Sequence, residues 1–197
     1  MDHFNLIIVD AQFDFAHPDG TLYVHGAQES VKKIIDFINN HKDELDEVVF
    51  TMDNHPKDHC SLKINGGIWP EHCMQGTAGR EVLPELIDVC EKNNIRYQFI
   101  KKGEKPDVLD YTAFSHSRKI GNAVILKTSS DTLTVYNDKF VVCGFAGDYC
   151  VKDSIADLIH VVGAENIKVY RDGVADIDDG TVFNNFIKEN NLTIINN

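Results

Sequence analysis

Positive charge is scarce in this 197-residue chain. It carries 19 Lys and Arg against 31 Asp and Glu, a formal net charge of −12, which argues against nucleic acid or an anionic membrane as a partner. It has no apolar run of about 18 residues, so no membrane span is expected. The first ten residues, MDHFNLIIVD, lack the basic segment and long apolar stretch of a signal peptide. Cysteine is sparse and odd in number. Cys60, Cys73, Cys90, Cys143 and Cys150 stand at irregular spacing, which suits reduced thiols in a cytoplasm better than a disulfide framework. Internal repeats, low-complexity tracts and linkers are also missing, and the length suffices for a single domain over residues 1–197 with a sizeable core.

What is present is a regular alternation. Apolar runs at 4–10, 47–53, 95–101 and 139–145 read as buried strands, two of them closed by an acid, Asp10 and Asp53. Residues 166–171 read as a fifth strand and 192–195 as a last one. Between them, 27–39 carries Val31, Ile34, Ile35 and Ile38 at helical spacing. Residues 81–90 read as a helix with Pro84 in its first turn, and 150–163 and 179–189 as two more. Residues 11–20 read as a loop. Residues 54–79 show no periodicity and hold three histidines, a tryptophan and four glycines, the composition of a long functional loop. The stretch 105–128 is polar, with short helical pieces expected around 113–119, and 129–136 is the least legible. Strands alternating with helices predict an α/β protein with three layers, α/β/α, around a mainly parallel central sheet. Ligands of such sheets sit beyond the carboxyl ends of the strands. Asp10, Asp53, Lys102 and Cys150 all fall at or just past such ends.

Each of these residues is ambiguous alone. Cys150 opens a helix after a buried strand and a turn through Gly144 and Gly147, where backbone N–H groups and the helix dipole favour a thiolate. By itself it reads first as a small packed thiol. Asp10 could accept its proton or merely cap a turn. Lys102 could steady Asp10 and a thiolate, or be a solvated lysine like its neighbour Lys101. Asp53 and His55, two apart, can face one ion from an extended stretch. With His72 they make the two-histidine, one-carboxylate set common to zinc, iron and manganese, and His59 is a candidate fourth ligand. Cys60 and Cys73 lie near and rank lower as ligands. Phe13, Phe15, Trp69 and Tyr111 would make apolar walls for a flat ligand, with core packing the default for any one of them.

Together these segments carry a resemblance. VDAQFDF at 9–15, TMDNHPKDHCS at 51–61, WPEHCMQGTAG at 69–79, KKG at 101–103, YTAF at 111–114 and GFAGDYCV at 144–151 resemble, in order and spacing, the nicotinamidases (pyrazinamidases) of the isochorismatase-like cysteine hydrolase superfamily. The resemblance implies that superfamily's fold and a cytoplasmic amidase that converts nicotinamide to nicotinate and ammonia in NAD salvage. It implies a triad of Asp10, Lys102 and Cys150, and oxyanion donation by the backbone N–H groups of Ala146 and Cys150, with a cis peptide bond preceding Ala146. It implies a divalent metal, zinc before iron or manganese, on Asp53, His55 and His72, with His59 a ligand in some members only. It implies a substrate pocket of Phe15, Trp69, Tyr111, Ala146 and Tyr149. A small-molecule substrate is therefore the expected partner, and a homo-oligomer is compatible with it. An alternative keeps the fold and changes the substrate to another small amide or carbamoyl compound. Gly147 departs from the threonine usual there, and 116–138 departs from the usual helix before the fourth strand.

Overall fold

The computed structural model describes residues 3–196. Its frame is a six-stranded sheet in which every pairing is parallel. The strands are β1 (Phe4–Val9), β2 (Leu45–Asp53), β3 (Tyr97–Lys102), β7 (Phe140–Phe145), β8 (Ile167–Ala175) and β9 (Thr193–Ile195), in the order β3-β2-β1-β7-β8-β9. The two central strands, FNLIIV and FVVCGF, are buried along their whole length, as expected of strands covered on both faces. Chain order reverses between β1 and β7, so the switch point where such sheets bind ligands lies between Asp10 and the turn that carries Cys150.

Crossovers between parallel strands are right-handed. Such crossovers run through α2 (Ala27–His41) and α3 (Pro84–Lys92), which contact each other, and through α4 (Lys152–Val162) and α5 (Thr181–Glu189). The α2 helix turns Val31, Ile34, Phe37 and Ile38 inward, and Phe37 stacks on the fully buried Tyr170 of β8, with ring centroids 4.4 Å apart. Pro84 occupies the first turn of α3, where its missing N–H costs nothing. All five cysteines are unpaired. No helix among the described residues is long and apolar enough to cross a membrane.

The fold departs from the sequence reading in four places. Where short helical pieces are expected around 113–119 and no element is read at 129–136, the chain builds a separate antiparallel sheet of β4 (Arg118–Ile120), β5 (Ala123–Lys127) and β6 (Thr132–Val135). The signal was Gly121-Asn122, a two-residue hairpin turn with Gly121 at φ +60°. The expected loop at 11–20 contains a one-turn helix, α1 (Phe13–Ala16). The β8 strand runs on to Ala175 because its register against β7 shifts between Val142 and Gly144, so a bulge lets pairing resume. Finally, the helix expected from Cys150 is preceded by a π-type turn at Gly147–Val151, closed by the Val151 N–H donating to the Ala146 carbonyl at 3.0 Å, and α4 starts only at Lys152.

Candidate active site

Parallel pairing does most of the assembly. Asp53 and Lys102 are register partners at the ends of β2 and β3, so their side chains leave the sheet together. One strand over, Asp10 leaves β1 in the left-handed region at φ +50°. Thr51 fixes it there: its hydroxyl donates to Asp10 Oδ1 at 2.6 Å, and its Oγ1 accepts the Asp10 N–H at 3.1 Å. Lys102 Nζ then lies 2.9 Å from Asp10 Oδ2, 2.6 Å from Asp53 Oδ1 and 3.5 Å from Cys150 Sγ. Asp10 and Lys102 are wholly buried, and Asp53 and Cys150 nearly so. One ammonium therefore fills the centre of three acceptors whose ligating atoms lie within 4.8 Å of one another.

Burial governs the charges. It would drive Lys102 neutral, but the carboxylates of Asp10 and Asp53 outweigh it and hold the lysine well above its ordinary value, as an ammonium. Burial also works against ionisation of Asp53, and there Lys102 and then His55 prevail, holding the carboxyl well below the usual carboxylate range. Asp10 goes the other way, because burial pushes its carboxyl up against the pull of Lys102. Burial pushes the Cys150 thiol up as well, with Lys102 opposing and the two carboxylates adding to the rise. The sequence reading has a helix start favour the thiolate; in the folded chain burial and the two acids work the other way. Cys150 sits inside a buried turn beside the carboxylates of Asp10 and Asp53, surroundings that favour its thiol.

Asp53 also faces outward. Its Oδ2 lies 3.4 Å from His55 Nε2 and 3.9 Å from His72 Nε2, and the three ligating atoms form a compact buried group. Both histidines are held by their other nitrogen. His55 Nδ1 donates to the Gly103 carbonyl at 2.9 Å, and His72 Nδ1 to the Pro70 carbonyl at 2.7 Å. Those bonds fix the tautomer that leaves each Nε2 lone pair free toward the common point. The donor set of one carboxylate oxygen and two imidazoles fits a divalent ion such as zinc. Gly103 matters here by size, because a Cβ at its φ of +65° would fall 2.4 Å from His55 Cε1.

His59 packs beside this group, its ring centroid 4.2 Å from that of His55. It is buried, with Nδ1 2.7 Å from Ser61 Oγ and Nε2 3.1 Å from the Val108 carbonyl, so both ring nitrogens are engaged away from the ligand cluster. The thiol of Cys73 points to the Gly79 carbonyl, at 3.9 Å. Phe13 is not a wall of the cleft; it stacks on His17, with centroids 4.4 Å apart.

The cleft over these residues is lined by Phe15, Trp69, Tyr111, Ala146 and Tyr149 together with Asp53, His55, His59, His72 and Cys150. Trp69 Nε1 donates to the Tyr111 hydroxyl at 3.1 Å, and Tyr149 meets the Trp69 ring edge-on at 5.0 Å between centroids, so the three aromatic rings brace one another. Leu22, Val24, Leu109 and Ile177 also line it. Nothing in local sequence marked these aliphatics, which come from loops far apart in the chain. The peptide bond between Phe145 and Ala146 is cis. Gly147 is explained by its neighbour: a Cβ there would fall 2.0 Å from Asp176 Oδ1, so a threonine would require Asp176 to move.

Comparison with known proteins finds relatives over most of the chain. The sequence model of the isochorismatase domain matches residues 5–97. The nicotinamidase of Acinetobacter baylyi is 33% identical over 165 residues, covering 74% of this chain and 70% of that protein. The nicotinamidase of Schizosaccharomyces pombe is 32% identical over 184 residues, covering 80% and 77%. Among solved structures, the pyrazinamidase of Pyrococcus horikoshii in complex with zinc superposes with a TM-score of 0.74 over 99% of both chains, at 24% identity.

Proposed function

This chain belongs to the nicotinamidase family, and from that premise we propose that it hydrolyses nicotinamide to nicotinate and ammonia, with pyrazinamide a second substrate. The observation that carries the reading is the convergence, in one aromatic-walled cleft, of a buried Asp10–Lys102–Cys150 cluster and the Asp53–His55–His72 group.

In this mechanism Asp10 takes the proton of Cys150, and the thiolate attacks the carboxamide carbon. The backbone N–H groups of Ala146 and Cys150 hold the oxyanion of the tetrahedral intermediate. The protonated Asp10 returns its proton to the departing ammonia and leaves a thioester. Asp10 then deprotonates a water that attacks the thioester carbon, releasing nicotinate and restoring the thiol. Lys102 stays protonated throughout, so that Asp10 and the thiolate always face a cation. Asp53, His55 and His72 would hold a divalent ion, zinc in our reading, which when bound supplies a Lewis-acid anchor for the pyridine nitrogen.

The test is ammonia release from nicotinamide by the purified protein, before and after chelation and with zinc added back. We expect turnover that falls on chelation and returns with zinc. No ammonia from nicotinamide with zinc present would overturn the assignment.

The state of Asp10 sets a pH dependence. The base must be ionised to act, and burial raises its carboxyl above the ordinary 3.8. Activity is therefore full above that raised value and falls as pH drops through it. We expect the acid limb of kcat/KM above pH 3.8, with metal content checked at each acid point. A limb at or below 3.8 in metal-loaded enzyme counts against Asp10 as the base.

A further inference from the structure

Two of the buried polar side chains that the mechanism leaves unused lie in the segment after Asp10. Gln12 is fully buried. Its Oε1 accepts the Asp53 N–H at 2.8 Å, while its Nε2 donates to the Asp53 carbonyl at 2.7 Å and to the Arg80 carbonyl at 2.6 Å. A side-chain amide thus pairs with both backbone groups of Asp53, as another strand would, beyond the point where β1 ends. Two residues on, Asp14 is also buried. Its Oδ2 accepts the N–H of Cys73 at 2.7 Å and its Oδ1 that of Thr21 at 3.1 Å. Cys73 follows His72 directly, adopts φ +46°, and accepts the His55 N–H on its carbonyl at 3.0 Å. The Gly79 backbone is packed so closely on Asp14 that a Cβ there would lie 2.1 Å from Oδ2.

We propose that Gln12 and Asp14 are positioning residues for the metal site: one short segment braces the backbone of Asp53 on one side and that of His72–Cys73 on the other, and so sets the separation of the three ligands. This rests on the reading of Asp53, His55 and His72 as the ligands. The physical reason is that His55 and His72 come from loops and Asp53 from a strand end, and no regular element spans all three. Side-chain bonds to their backbone do the work of a scaffold, and loss of such outer partners weakens metal binding by roughly 10–100-fold.

The test is zinc affinity of the purified full-length protein, measured by competition with a chromogenic chelator, with circular dichroism as a check on folding. Gln12→Met keeps the shape and removes three hydrogen bonds; Asp14→Ala removes two. Both should weaken zinc by roughly 10–100-fold, and Asp14→Asn, which keeps one oxygen for the Cys73 N–H, should recover part of the loss. Leu86→Ala, in α3, should lower stability yet leave zinc affinity unchanged. Wild-type affinity in folded Gln12→Met or Asp14→Ala overturns the proposal, as does an equal loss in Leu86→Ala, since the effect would then be one of general stability. If Gln12→Met does not fold, Gln12→Glu, which keeps the acceptor for the Asp53 N–H, is held to the same criterion. Asp53→Ala separates the two readings: it should abolish tight zinc binding, and if it does not, the ligand assignment fails whatever Gln12 and Asp14 do.

Discussion

Cys150→Ala should lower ammonia release from nicotinamide by about 10⁴-fold or more, the scale seen when a nucleophile is removed from a preorganised site. Zinc affinity should not change, because Cys150 Sγ faces Lys102 and is not among the Asp53, His55 and His72 ligating atoms. The fold should survive too, since a buried alanine in place of cysteine leaves only a small void and no stranded polar group. Lys102 keeps its bonds to Asp10 and Asp53. The informative companion is acid quenching of the wild-type protein during turnover, followed by mass spectrometry. An acyl adduct on the peptide that carries Cys150 is expected. Steady hydrolysis by Cys150→Ala, with no adduct in the wild type, would instead assign the attack to metal-bound water.

Lys102→Met is expected to damage both stability and rate. In the wild-type protein one buried ammonium compensates two buried carboxylates. Methionine has a similar length and no charge, so Asp10 and Asp53 would face each other, with acceptor atoms within 4.8 Å. Breaking a buried ion pair by removing one partner costs about 3–5 kcal/mol, and urea unfolding at neutral pH should show a loss of that order. The sign of its pH dependence follows. Without Lys102 the carboxyl of Asp10, already raised by burial, rises further, so the folded variant binds a proton more tightly than the unfolded chain. Its deficit should therefore shrink as pH falls through that raised value. The rate should fall by at least about 10²-fold, with the acid limb of kcat/KM moved to higher pH, because the base is protonated over a wider range. Lys102→Arg should not restore activity, since a planar guanidinium cannot occupy a fully enclosed slot shaped for a single ammonium. A Lys102→Met protein with wild-type stability and rate would show that the two acids are not held as a charged pair.

Most of the frame was legible because its strands are buried on both faces and read as unbroken apolar runs. FNLIIV and FVVCGF could hardly be anything else. The helices announced themselves through spacing, as in Val31, Ile34 and Ile38. The small sheet of β4, β5 and β6 was missed because its strands are three to five residues long, too short for a period to emerge, and its one clear signal was the Gly121-Asn122 turn. The start of α4 was misplaced because a π-type turn depends on how Gly147–Val151 meets the sheet, which local sequence does not encode.

For the site, the sequence by itself determined which chemical groups were on hand and, through the ends of parallel strands, that Asp10, Asp53, Lys102 and Cys150 would lie at the same edge. Only the tertiary structure decided what those groups are. It made Asp53 the hinge between two clusters, one oxygen on Lys102 and the other toward the histidines. It turned His59 to Ser61 and Val108, and recruited Gln12 and Asp14 as braces. It also set Cys150 beside Asp10 in buried surroundings that favour the thiol. The reason is physical: charge state and ligation depend on burial and on ångström-scale distances between residues as many as 140 positions apart, whereas residue identity and spacing encode only what each group is able to do.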